Sequence, residues 1–169
     1  MTELQQLFAQ HHLDQFHPQS KVWVYQANRP LTAEEQAQLQ PQFQQFTRQW
    51  TAHNQALKAT GLVAFDRFII LLVDETQAAA SGCSIDTSYR FLRGLESAFG
   101  VELFDRLNLA YQIDDEIRTI HKDEVTKAMN EGVITEETPV FNNTVQTKSA
   151  LETHWMIPFK QSWAAQMVP

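Results

Sequence analysis

The chain of 169 residues has one cysteine, five glycines and six prolines, and its thirteen lysines and arginines are outnumbered by twenty aspartates and glutamates. A single cysteine excludes an internal disulfide and fits a reducing compartment, so a cytoplasmic protein is expected. The start, Met1-Thr2-Glu3-Leu4-Gln5, has neither the basic region nor the apolar core of a secretory signal. The longest apolar run, Phe68 to Val73, falls far short of the roughly 18 residues of a membrane span, so no membrane partner is expected. The net charge of −7 removes the electrostatic footprint that a nucleic-acid partner needs, and the arginines, from Arg29 to Arg118, form no basic cluster. Glycine is too scattered to cradle phosphates. Neither a G-x-x-x-x-G-K-[ST] loop nor a G-x-G-x-x-G run occurs, which excludes P-loop hydrolysis, and no cofactor is expected.

What remains, 43% apolar residues and 20% charged ones, is ordinary soluble composition, and the length suffices to bury a core without disulfide or metal. His11, His12 and His17 lie in or just after an amphipathic N-terminal helix carrying Leu4, Leu7, Phe8 and Leu13, and read as a solvated flank rather than a metal site. Fourteen glutamines fall within residues 1–55, but the aromatics among them keep helical spacing, so they form polar helix faces rather than a disordered tract.

The chain reads as a single globular domain, 1–169, made of an N-terminal helical extension (1–20), a core (21–112) and a C-terminal elaboration (113–169). Val22 to Gln26 is β-branched and aromatic and ends at the turn Asn28-Arg29-Pro30. Thr32-Ala33-Glu34-Glu35 is a capping box that opens a helix with Leu39, Phe43, Phe46 and Trp50 on one side, and Pro41 should kink or divide it. Residues 57–65 and the continuously apolar 68–73 form a hairpin about Asp66-Arg67. A second helix, with Asp86 as its expected cap, carries Tyr89, Leu92, Leu95 and Phe99 and stops at Gly100. A fourth strand follows at 107–112, and then a fifth at 116–120, a short helix ended by Gly132, and a tail whose Trp155 and Trp163 anchor it on the sheet. The core order, strand, helix, strand, strand, helix, strand, predicts an α+β fold of the ferredoxin-like split βαβ kind. Its antiparallel sheet would have the order 4-1-3-2, with both helices on one face.

The hexapeptide Ser81-Gly82-Cys83-Ser84-Ile85-Asp86 holds the only thiol, at a helix start where backbone N–H groups favour negative charge. In the split βαβ order, Asp74, Glu75, Cys83, Ser84 and Asp86 share one sheet edge with His53 and Lys58. This supplies candidate catalytic residues Cys83, His53 and Asp86: a thiol nucleophile, a base, and an acid (Asp86 or Glu75) to orient it. The plainer alternative makes Ser84 and Asp86 ordinary caps and Cys83 a small packed hydrophobe. Candidate ligand-binding residues are Ser81, Ser84 and Glu75 at this edge. At the opposite edge, where Asn28, Arg29, Asp66, Arg67 and Asp105 gather, Arg106 offers a bidentate fork for a carboxylate or phosphate, and Asn108 is a strand residue that needs a polar partner.

The strings Val22 to Pro30, Arg67-Phe68-Ile69, Ser81 to Asp86, Phe104 to Asn108 and Val140-Phe141-Asn142-Asn143 occur together. From about residue 21 onward the chain thereby resembles a family of short cytosolic Bacteroidetes proteins often labelled "ABC transporter ATPase". The phosphate loop that label requires is missing, and the resemblance implies no activity or site residue. Residues 124–141 are similar to the second half of GYF-like peptide-binding modules, without the aromatic signature of those modules, so that role does not carry over. The sequence therefore favours a cytosolic domain that binds a partner protein or a small-molecule ligand. A thiol-dependent hydrolase or transferase using Cys83 is the competing reading.

Overall fold

The computed structural model describes residues 2–169. Local chemistry sets most element boundaries. Thr2 and Gln5 close a capping box on α1 (Glu3–Gln10), and Thr32 and Glu35 close another on α2 (Ala33–Gln49). Between them lies β1 (Lys21–Gln26). Pro41 sits inside α2, yet the helix runs on through it. The proline removes one donor from the ladder, but buried Leu39 and Phe43 on either side hold both halves against the sheet, so the expected division does not occur.

After α2 a short hairpin, β2 (Thr51–Ala52) and β3 (Gln55–Ala56), turns at His53 and Asn54, whose φ values of +52° and +65° suit a tight primed turn. The chain continues as β4 (Lys58–Ala64) and β5 (Phe68–Asp74), reversing at Phe65–Arg67, with Phe65 and Asp66 both at positive φ. Helix α3 (Gly82–Phe99) follows, ended by Gly100 in the left-handed region at φ +62°. Its N-cap is Ser81, paired with Ser84 in a capping box. Asp86, expected to be the cap, lies a full turn inside the helix, because the Ser81 hydroxyl reaches the Ser84 amide first.

The first sheet has the order β1-β5-β4 and is antiparallel throughout. Strand β5 is central and buried along its whole length, as its unbroken apolar run implies. On one face Ile69 and Leu71 meet Leu39 and Phe43 of α2 and Leu92 and Leu95 of α3. On the other, Phe68, Ile70 and Leu72 meet Phe8, Leu13, Phe141 and Trp155. Phe68, Phe141 and Trp155 have ring centroids 4.7–5.1 Å apart, and each such buried aromatic contributes about 2–3 kcal/mol through removal from water.

The α+β class holds, and the expected neighbours 1-3-2 stand as β1-β5-β4, but the fourth strand does not lie beside the first. The fourth strand, β6 (Asn108–Ile113), leaves β1 and joins a separate sheet, β7-β6-β8-β9, with β7 (Glu116–His121), β8 (Pro139–Phe141) and β9 (Met156–Pro158). Asp114, at φ +54°, makes a two-residue reversal with Asp115 that delivers β7 at once, a pairing with little loop-closure entropy. Leu109 and Tyr111 of β6 are then buried with Val140, Ile157 and Phe159 and with Val125 of α4 (Val125–Asn130). The last helix, α5 (Lys148–His154), leads to Trp155, which lies between the sheets with the aromatics above, so the expected anchoring role of that tryptophan has a physical basis. None of the described helices is long and apolar enough to cross a membrane.

Candidate functional site

Because β6 does not cover it, β1 keeps a partly open outer edge. Hydrogen bonds along an antiparallel strand alternate between its two sides. The Ala27 amide donates inward to the Arg67 carbonyl at 2.8 Å, and the Val22 amide donates outward to the Gln146 carbonyl at 3.0 Å. Odd-numbered residues of β1 therefore bond to β5, and Val22, Val24 and Gln26 point their main-chain groups away from it. The two ends of that edge are covered: Lys148 N–H donates to Ser20 C=O at 2.9 Å, and Asn28 N–H donates to Glu102 C=O at 3.1 Å. Between these ends, the Val22 carbonyl and both main-chain groups of Val24 and of Gln26 have no hydrogen-bond partner among the described residues.

A groove of about 600 Å³ lies along this edge, between Ile85 on the first turns of α3 and the segment 143–147. A smaller hollow of about 150 Å³ continues it toward Asn108 and Trp163, and the two share Val24, Arg106, Asn143 and Thr144. The far wall is tied down by a relay of carboxamides. Asn143 Oδ1 accepts from the Trp155 indole at 2.9 Å, its Nδ2 donates to Gln26 Oε1 at 3.0 Å, and Gln26 Nε2 donates to the Asn108 carbonyl at 3.3 Å.

The charges in the groove come from separate elements. Glu75, just past β5, accepts from the Ala80 amide at 2.9 Å and pairs with Lys21 of β1 at 3.5 Å. Arg106 enters from the segment before β6 and is exposed, with no carboxylate within 4.0 Å among the described residues. Its charge is felt nearby: burial pushes the Tyr25 hydroxyl up from its ordinary value, and Arg106 opposes part of that shift. Beside the groove, buried Asp74 accepts from the Thr76 amide and hydroxyl and the His17 amide, and pairs with Lys58 at 3.4 Å. Burial alone would raise this carboxyl, but those donors together hold it well below the usual carboxylate range.

The sequence placed Glu75 and Arg106 at opposite sheet edges; the structure brings them to one groove, with Arg106 just ahead of a strand that pairs in the second sheet rather than with β1. Asn108 lines the smaller hollow, where its side chain donates to Asp105 at 2.7 Å. Ser81 and Ser84 are occupied with each other as the cap of α3, and Ser84 is buried, its carbonyl accepting from the Trp50 indole at 2.8 Å. The neighbouring cations expected near Arg106 are otherwise engaged or enclosed. Arg29 forms a two-bond fork on Glu35, holding that carboxyl at about 2, and Arg67 is buried.

Cys83, His53 and Asp86 are not linked by any hydrogen bond among the described residues. Cys83 is exposed on the first turn of α3, and Asp86 pairs with Arg90 one turn along at 3.2 Å. His53 occupies the exposed turn between β2 and β3, a hairpin that touches α3. No group of three or more histidine, cysteine or acidic side chains able to hold a metal occurs among the described residues. The residues that sequence reasoning missed, Val24, Asn143 and Gln26, carry no signal of their own kind: an open strand edge is a property of pairing, which residue type does not record. Comparison with protein-family models, curated proteins and solved structures finds no match.

Proposed function

We propose that this chain is a binding domain whose working surface is the groove along β1. The observation that carries this reading is the convergence of Arg106, Glu75 and Lys21, from three separate elements, on one concavity of about 600 Å³, a volume typical of ligand sites. Another hollow, of about 910 Å³, lies between α1 and α5. Its lysine is already engaged: Lys148 donates to the Phe16 carbonyl at 3.0 Å and pairs with Glu152 at 3.6 Å. Arg106 has no such partner, and a cation left free in a groove is available to a ligand. The same reading places the domain in the cytosol, supported by a single thiol that cannot form an internal disulfide, and beside the Bacteroidetes proteins it resembles.

Mapping amide chemical shifts during a small-molecule fragment screen tests this. Responses should gather at Val22–Val24, Ile85, Arg106 and Thr144–Thr147, and Arg106→Gln should weaken the anionic fragments selectively. Responses confined to the hollow between α1 and α5, or to the β2–β3 hairpin, would remove the assignment.

A further inference from the structure

We propose that the groove accepts an extended, acidic peptide segment of a partner protein, which adds to β1 as a further strand. This rests on the groove being the binding surface and names what it binds. The open stretch of β1 presents two N–H groups, of Val24 and Gln26, and three carbonyls, of Val22, Val24 and Gln26, all on one line. An added strand is the ligand whose own groups repeat at that spacing. Between Val22, whose amide is taken by Gln146, and Asn28, whose amide is taken by Glu102, the edge runs roughly 20 Å, and the positions between them, 23–27, match about five residues of extended peptide. An unpaired edge is normally covered or blunted. Here the chain covers it at Ser20–Val22 and at Asn28 and leaves the middle open.

The chemistry of the walls narrows the occupant. Arg106 borders both parts of the groove without a carboxylate partner, whereas Lys21 is neutralised by Glu75. The chain as a whole is acidic, with net charge −7, and Asp105 lines the smaller hollow, so the attraction is local: the Arg106 guanidinium, unpaired within 4.0 Å among the described residues, offers a fork to a carboxylate on the incoming segment. Ile85, 41% exposed on the α3 side, offers contact to an apolar neighbour of that carboxylate. A second copy of this chain is a poor occupant. Its own β1 edge is recessed between α3 and residues 143–147, and two recessed edges cannot meet, while a free extended segment can enter.

The probe is the peptide Ac-Thr-Val-Asp-Val-Thr-NH2, with a lysine version in place of aspartate and a version N-methylated at alternate residues, each titrated to millimolar concentration into the isotopically labelled full chain. Downfield shifts and slowed hydrogen exchange at the Val24 and Gln26 amides are expected, with Trp23 and Tyr25 unmoved. The lysine peptide should bind about tenfold more weakly and the N-methylated one should be silent. Arg106→Gln should abolish the preference for aspartate over lysine while leaving the Val24 shift. No change at Val24 and Gln26, or equal changes with the N-methylated peptide, overturns strand addition. If fragments still bind the groove in that case, the binding surface stands and only its occupant is wrong; if they too fail, the surface itself is wrong. Association of the chain with itself through β1, seen as a concentration-dependent mass lost on peptide addition, would also overturn the proposal.

Discussion

Asn143→Ala removes the carboxamide that fastens the far wall of the groove, and its cost can be worked from the contacts. Trp155 is fully buried, and its indole N–H donates only to Asn143 Oδ1. Left without an acceptor, it costs about 1–3 kcal/mol. Gln26, 8% exposed, loses the donor to its Oε1 and retains only a 3.3 Å bond to Asn108, a further loss of roughly 1 kcal/mol. The sum is about 3 kcal/mol, equivalent at this chain length to a fall in Tm of about 9 °C. Urea unfolding followed by tryptophan fluorescence should show the midpoint fall with an unchanged slope. Trp155→Phe removes the donor together with its need for a partner, so the double variant should be less destabilised than the sum of the singles by about 1–2 kcal/mol. A loss below about 0.5 kcal/mol, or strict additivity, would mean that the relay does not join the second sheet to β1.

Asp74→Asn should destabilise the fold by about 2–3 kcal/mol at neutral pH, since the four donors around it are matched to a carboxylate. Because Asp74 is held below its ordinary value when folded, its contribution is complete above the unfolded pKa of about 4 and fades as pH falls through the folded one. Wild type and variant should therefore converge in unfolding midpoint toward strongly acidic pH; a difference that persists or grows there would contradict the assignment. Gly61→Ala places a Cβ 3.1 Å from Phe43 and 3.2 Å from Leu71, where α2 and β4 are in close contact, and should cost about 1–3 kcal/mol by overpacking, read from thermal unfolding. Cys83, exposed on α3, should react with one equivalent of a thiol reagent without unfolding, and Cys83→Ser should leave fragment binding in the groove unchanged.

The elements of this fold were readable because local chemistry writes them. The Thr32–Glu35 box, the apolar run 68–73 and Gly100 each mark a boundary through one residue's own preference. Pairing was not readable in the same way. Leu109 and Tyr111 alternate as a strand in either sheet, and only the tight Asp114–Asp115 reversal together with the apolar residues of the C-terminal segment sends β6 away from β1. That one choice moved the candidate site. Glu75 and Arg106 were legible as polar residues near strand ends, but their meeting depends on an edge left uncovered by a strand that begins 82 residues after β1 ends. The serine and acid of the hexapeptide were legible as capping chemistry; which of them caps was decided by which hydroxyl reaches an orphan amide, and it is Ser81.

Amide hydrogen exchange along β1 alone reports whether the middle of its outer edge is open. An alternating pattern is expected. Trp23 and Tyr25, bonded inward to β5, should exchange slowly, and Val24 and Gln26, facing the groove without partners, should exchange faster by orders of magnitude despite lying in the same strand. Equal protection at Val24 and Tyr25 would show the edge to be covered in the free protein and would rule out strand addition at β1.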